Sequence, residues 1–241
     1  MRPANRRWSG TGPALGDLLG DVLDDLLGVA APVPAEVRRT IDEQARPRTE
    51  ACPSFLGSVG TLTCLASFDG PLAAIVTHAK YHRGRAPWPV LGRRLALELK
   101  AEAGWLDDAG NAPFVVPVPM PTWRRWHRGL DHGRLLADAV ASGIEGRVRP
   151  WLSSVWRRPQ VGRTRAARRG VMDAIRPSST WWLDERVRGR RRVDTTRSVL
   201  VVDDVCTTGT TLAACAAQLR RFGFQDIHAA VVGRRSLGST S

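Results

Sequence analysis

The sequence predicts an α/β protein, with a central, mainly parallel sheet flanked by helices and a small helical extension at the N-terminus. Three observations carry this. Short apolar runs at 114–118, 199–205 and 227–232 alternate with segments of helical spacing, the pattern of strand–helix–strand units with right-handed crossovers. The run Val199-Leu200-Val201-Val202 has no polar residue, as a strand buried on both faces requires. It ends in two adjacent carboxylates, Asp203 and Asp204, then a loop of hydroxyl residues and one glycine, then an Ala-rich segment whose Leu212, Leu219 and Phe222 read as a helix.

The elements follow in order. Leu15, Leu18, Leu19, Val22, Leu23, Leu26 and Leu27 recur at steps of three and four, an amphipathic helix stopped by Gly28 and Pro32. A second helix is expected from Pro34 to Ala45, broken by Pro47, and residues 46–66 read as irregular. Pro71 suits the first position of a helix that runs through Leu72, Ile75 and Val76 to Lys80-Tyr81. Gly84 to Pro89 reads as a turn, and Val90, Leu91, Leu95, Leu97 and Leu99 as the next helix. Phe114 to Val118 is a strand, Pro119 to Arg128 a loop, and Leu130 to Ala141 a helix. Trp151 to Trp156 reads as a strand and Arg157 to Arg169 as a very basic loop or broken helix. Val199 to Val205 and Ile227 to Val232 are the last two strands. The expected division is an N-terminal extension over 1–67, one α/β domain over 68–235 and a tail over 236–241.

A chain of 241 residues with a hydrophobic fraction of 43% suits a globular protein rather than a disordered one. It has no 18-residue apolar run, so no membrane insertion is expected. Asp17, Asp21, Asp24 and Asp25 interrupt the segment after the basic N-terminus and exclude a secretory apolar core. Cys52, Cys64, Cys206 and Cys215 show no disulfide framework, and a cytoplasmic, reducing location is the expectation. The charge is uneven. Residues 1–109 carry 13 basic and 13 acidic side chains, residues 110–241 carry 23 and 10, so the second half supplies the whole net charge of +13. That points to a polyanionic ligand, pyrophosphate esters or nucleic acid. With 34 Arg against two Lys, a compositional bias of the coding sequence accounts for part of it.

The sharpest signal is the segment 199–211. A strand that ends in a tight loop before a helix aims unpaired backbone N–H groups and the positive helix end at one spot, which suits a phosphate. Thr207, Thr208, Thr210 and Thr211 add donors, and Gly209 lets the backbone approach or take a positive φ. Asp203 and Asp204 would repel a bare phosphate, so they suit sugar hydroxyls or a metal. A phosphate with a ribose diol beside it satisfies both halves. No Gly-Lys-Ser/Thr follows, which excludes a Walker A loop, and no G-x-G-x-x-G opens a helix here.

This ordered run of apolar residues, acid pair and Thr-Thr-Gly-Thr-Thr resembles the phosphoribosyl-pyrophosphate (PRPP) motif of type I phosphoribosyltransferases. Together with Val116-Pro117-Val118-Pro119, the arginines Arg124, Arg125 and Arg128, and Gly129-Leu130-Asp131-His132, the chain resembles the ComF/GntX-like branch of that superfamily. Ala79-Lys80-Tyr81 matches an upstream Leu-Lys-Tyr element, and Arg157, Gln160 and Arg168 partly match an R-x-x-x-Q element. The resemblance covers about residues 68–235. It departs where relatives have Phe-Asn-Gln and this chain Leu130-Asp131-His132, and where they place an Asn and this chain has Val171. Members with a four-cysteine zinc module carry two C-x-x-C pairs; here Cys52 and Cys64 have 11 residues between them with no C-x-x-C, so no zinc is expected.

The resemblance implies a phosphoribosyltransferase-like fold with a degenerate N-terminal hood, and Mg²⁺-dependent transfer of a phosphoribosyl group from PRPP, or a related sugar phosphate, to a nitrogen nucleophile. Asp203 and Asp204 would hold the ribose hydroxyls, Thr207, Thr208, Gly209, Thr210 and Thr211 the 5′-phosphate, and Arg124, Arg125, Arg128 and Gly129 the pyrophosphate. Mg²⁺ would arrive on the PRPP, with no dedicated metal ligands. Lys80, Arg157, Gln160 and Arg168 are candidate ligand or flap contacts, and no general base or acceptor is assigned. The resemblance also implies the alternative of a non-catalytic protein of DNA uptake and natural transformation, binding single-stranded DNA or a helicase-like partner. On the residues alone, the basic stretch from Arg157 to Arg169 reads equally as a flap or as a phosphate-tracking strip, and Trp123 and Trp126 as stacking platforms or core cover. The Leu-rich N-terminal helix offers a face for a homodimer.

Overall fold

A computed structural model describes residues 33–51, 56, 59–81, 85–106, 111–121, 124, 129–155, 174–187 and 193–235. In chain order these form α1 (Ala35–Gln44), β1 (Arg48–Ala51), β2 (Thr61–Ser67), α2 (Gly70–Tyr81), α3 (Pro87–Glu102), a 3₁₀ turn (Gly104–Leu106), β3 (Phe114–Pro117), α4 (His132–Gly143), β4 (Arg147–Val148), β5 (Leu152–Ser154), β6 (Ile175–Pro177), α5 (Ser179–Val187), β7 (Val199–Cys206), α6 (Thr210–Arg221) and β8 (Ile227–Arg234). The six-stranded sheet runs β1-β2-β8-β7-β3-β4. Only β1 is antiparallel to its neighbour; every other pairing in this sheet is parallel.

The α/β reading therefore holds, with corrections. Residues 46–66, expected to be irregular, contain β1 and most of β2. The five inner residues of β2 are buried, and its parallel partner β8 sets Leu62 against Ala229 far downstream, a pairing no local pattern announces. The expected boundary at 67 therefore falls at the end of a strand of this same sheet. Helix α3 starts at Pro87 rather than Val90, because prolines in a first helical turn give up amides that have no intrahelical acceptor. Leu152–Ser154 is a strand, but it pairs antiparallel with β6 in a separate two-stranded sheet. The Leu-rich segment 15–27 lies outside the described residues.

Strand β7 is buried on both faces. Val199 and Val201 pack with Val116, Ala229, Val231 and Leu212, Cys215 and Leu219 of α6. Leu200 and Val202 pack with Ala230, Val232 and the helices α2, α3 and α4 through Val76, Leu91, Leu95, Leu136 and Val140. Alternation along a strand produces this split, and it explains the uninterrupted apolar run. Helices α3 and α4 meet closely: a methyl on Gly143 would lie 2.4 Å from the Ala96 Cβ, and one on Gly92 2.5 Å from that of Ala139. Only hydrogen at these positions lets the two helices approach so far.

Candidate ligand-binding site

The carboxyl ends of parallel strands are where open α/β sheets bind ligands. Here the end of β7 carries the acid pair and passes through Cys206-Thr207-Thr208-Gly209 into α6. Gly209 is the N-cap of α6 at φ +69°, a left-handed conformation that favours glycine. No side chain caps this helix, so its first amides point out of the end of the strand. Thr207 and Thr208 are exposed, Thr210 and Thr211 half-buried, and the hydroxyls of Thr208 and Thr210 lie 2.9 Å apart. The result is a cradle of donors at a positive helix end.

The two carboxylates part company. Asp203 continues the Val199/Val201 face, toward α6, and Asp204 the Leu200/Val202 face, toward α2–α4. Asp204 is 6% exposed; its Oδ2 lies 2.9 Å from Lys80 Nζ and accepts from His132 Nε2 at 2.7 Å. Trp88 stacks on the His132 ring at 4.9 Å between centroids. Burial works against ionisation of Asp204, but the His132 hydrogen bond and the Lys80 charge outweigh it and hold the carboxyl below the usual range. Asp203 is half-buried, and burial with the neighbouring Asp204 charge pushes it up to about 8. The shift favours the protonated form of the Asp203 carboxyl. Its Oδ1 accepts the Asp204 backbone N–H at 2.8 Å.

The sequence matches the family described as the phosphoribosyl transferase domain over residues 130–238, a span that includes α4, the acid pair and the cradle. It is 29% identical over 173 residues to the DNA utilization protein YhgH of Escherichia coli strain K12, and 28% to that of Escherichia coli O157:H7. Residues 130–238 thus match the phosphoribosyl transferase domain, and the chain is similar to these DNA utilization proteins. The YhgH of Salmonella typhimurium strain LT2 is 26% identical over 174 residues. These matches cover 67% of this chain and 66% of each relative, so the chain spans just under two thirds of their length.

The fold brings Asp203, Asp204, Lys80 and the cradle 207–211 to one end of β7. Gly129, exposed at φ +65°, and Arg124, exposed after β3, lie in the connection leaving β3, the strand beside β7. Arg125, Arg128, Arg157, Gln160 and Arg168 lie outside the described residues, as do Trp123, Trp126, Val171 and Cys52. Cys64 is buried in β2, where burial raises its thiol to about 11. Strand alternation sends the Asp204 side chain inward to Lys80 and His132. The sequence presents Leu130-Asp131-His132 as part of the resemblance and as its departure from Phe-Asn-Gln, with no side-chain role for any of the three. In the fold Leu130 is core, Asp131 caps α4 by accepting from the Arg134 amide at 3.1 Å, and His132 holds Asp204. The helix expected from Leu130 begins instead at His132, after the Asp131 cap.

Proposed function

We propose that this chain binds PRPP, or a related sugar phosphate, at the end of β7 and transfers the phosphoribosyl group to a nitrogen nucleophile. The observation that supports it most is the uncapped α6 N-terminus behind a left-handed Gly209, directly after a strand that ends in carboxylates. The 5′-phosphate would rest on the amides and hydroxyls of Thr207–Thr211, the sugar at the acid pair, and the pyrophosphate toward the loop with Arg124, Arg125, Arg128 and Gly129. In the transfer the C1′–O bond breaks, with its electron pair leaving on pyrophosphate. The nitrogen lone pair forms the C1′–N bond, and its proton departs to water. Placement and charge neutralisation do most of the work. A Mg²⁺ carried by the PRPP would neutralise the leaving pyrophosphate. Thermal unfolding tests the reading: PRPP with Mg²⁺ at a hundred times its Kd should add about 2.7 kcal/mol of stability. Gly209→Ala, strained at a positive φ, should abolish most of that gain. No stabilisation by PRPP or by ribose 5-phosphate would remove the reading.

A second reading is favoured by the basic excess of residues 110–241, 23 against 10, and by the relatives' designation as DNA utilization proteins. The chain would then act in DNA uptake, binding single-stranded DNA or a helicase-like partner without turnover. Its mark is single-stranded DNA affinity that falls steeply with salt and ignores Asp203→Asn.

A further inference from the structure

The net charge of this chain is concentrated in one topological insertion. From the start of β4 to the segment before β7, residues 147–197 carry 15 Arg against four acids, which is +11 of the whole +13. A compositional bias of the coding sequence would spread arginine along the chain, yet residues 1–109 balance. Beyond β4, the described part of this insertion includes a lobe of β5, β6 and α5. The same lobe gathers exposed apolar surface. Of the five large hydrophobic side chains exposed among the described residues, Val155, Trp182 and Leu183 belong to it, at 42%, 52% and 57%.

The inner side of α5 is fixed by packing. Trp181 is buried and stacks on Phe222 at 3.8 Å between centroids. Asp184, three residues on and on the same helix face, accepts from Trp151 Nε1 at 2.8 Å and lies 3.6 Å from Arg149 Nε. Trp182 is turned about 100° from Trp181 and faces out, so a well-anchored helix holds an indole in solvent. Arg176, exposed on β6, stands six residues before it. Phe222 caps the far end of α6, and twelve residues of helix put it about 18 Å from the threonine cradle. The lobe is therefore remote from the end of β7.

A run of unpaired nucleotides needs a projecting ring for a base and guanidinium groups for its phosphates. An acidic polypeptide would answer the charge, but its apolar side chains need a groove, and Trp182 and Leu183 project from the outside of a helix. We propose that the α5 face is a docking surface for single-stranded nucleic acid, with Trp182 as the ring on which a base stacks and Arg176 as a phosphate contact. This rests on the second reading above and separates that binding from the sugar-phosphate site.

Anisotropy titrations of the full chain with a labelled oligothymidylate of about twenty nucleotides test it. Trp182→Ala should weaken binding at least fivefold, and Trp182→Tyr, which keeps a ring, should retain most of the affinity. Arg176→Gln should reduce the slope of log K against log salt by about 0.7, the share of one phosphate on a single strand. Both Trp182→Ala and Arg176→Gln should keep the wild-type Tm and the wild-type response to ribose 5-phosphate. Wild-type affinity in Trp182→Ala overturns the surface and leaves the second reading standing. Displacement of the oligonucleotide by ribose 5-phosphate moves the strand to the cradle and overturns it equally. So does displacement by polyglutamate as readily as by unlabelled oligonucleotide, which would make the face a seat for acidic polypeptide. If the wild type does not bind the oligonucleotide, the single-stranded DNA reading and this surface fall together.

Discussion

Each end of the parallel strands carries a histidine stacked under a tryptophan and bonded to an aspartate, and the two ends behave as different devices. At the carboxyl end, His132 lies under Trp88 and donates to the buried Asp204, with Lys80 on the same oxygen. At the amino end, His228 lies flat on Trp105, 4.2 Å between centroids, with Nε2 2.9 Å from Asp226 and Nδ1 2.8 Å from the Thr61 hydroxyl. There the Asp226 side chain is 48% exposed and no lysine joins in, and burial pushes His228 down despite its aspartate partner. The amino-end set is a hydrogen-bonded tie that closes β2 onto β8. The carboxyl-end set concentrates buried charge beside the hydroxyl-rich loop that opens α6. A His–Asp couple alone does not mark a site; the buried cation and the neighbouring open helix end do.

Removing each aspartate is the strongest way to break this comparison. Asp204→Ala leaves Lys80 and His132 without their counter-charge and should cost about 3–5 kcal/mol in urea unfolding. Asp226→Ala, at a half-exposed pair, should cost no more than about 1.5 kcal/mol. Equal losses would erase the distinction.

The two ends should also tilt stability with pH in opposite directions. Asp203, at about 8 in the fold against 3.8 unfolded, binds its proton more tightly when folded. Its contribution is full at pH values below 3.8 and is lost as pH rises through about 8. His228 lies below its ordinary 6.5, so the unfolded chain takes up the proton first and stability falls as pH drops below that value. Urea midpoints across pH 4–9 should lose the first slope in Asp203→Asn and the second in His228→Gln, each without altering the other.

A smaller contrast lies in the packing around each pair. Gly143→Ala places a methyl 2.4 Å from the Ala96 Cβ in the α3–α4 contact and should cost about 1–3 kcal/mol, loosening Trp88 over His132 and weakening ribose 5-phosphate as well. Gly60→Ala meets the His228 ring at 3.2 Å, which a small shift relieves. It should lower Tm only slightly and leave ligand affinity unchanged. Ligand loss in Gly60→Ala would mean the amino end communicates with the site.

Where signals were local, the sequence was legible. Pro71 and the spacing after it marked α2, the apolar run marked β7, and Gly209 among four threonines marked the cradle. Where the defining partner lies far along the chain, it was not. Strand β2 depends on pairing with β8, and β6 on β5 across more than twenty residues. His132 carried no signal, because its partner is reached only when α4 packs on the sheet.

By itself the sequence determined an α/β chain, a strand that ends in two acids, and a hydroxyl-rich loop opening a helix, since each follows from residue order and backbone preference over a few residues. Only the tertiary structure decided which acid faces which way. Adjacent strand residues point to opposite sides, and what waits there, Lys80 and His132 on one side and α6 on the other, is set by helix packing. Near neighbours in the chain thus came to have unlike surroundings.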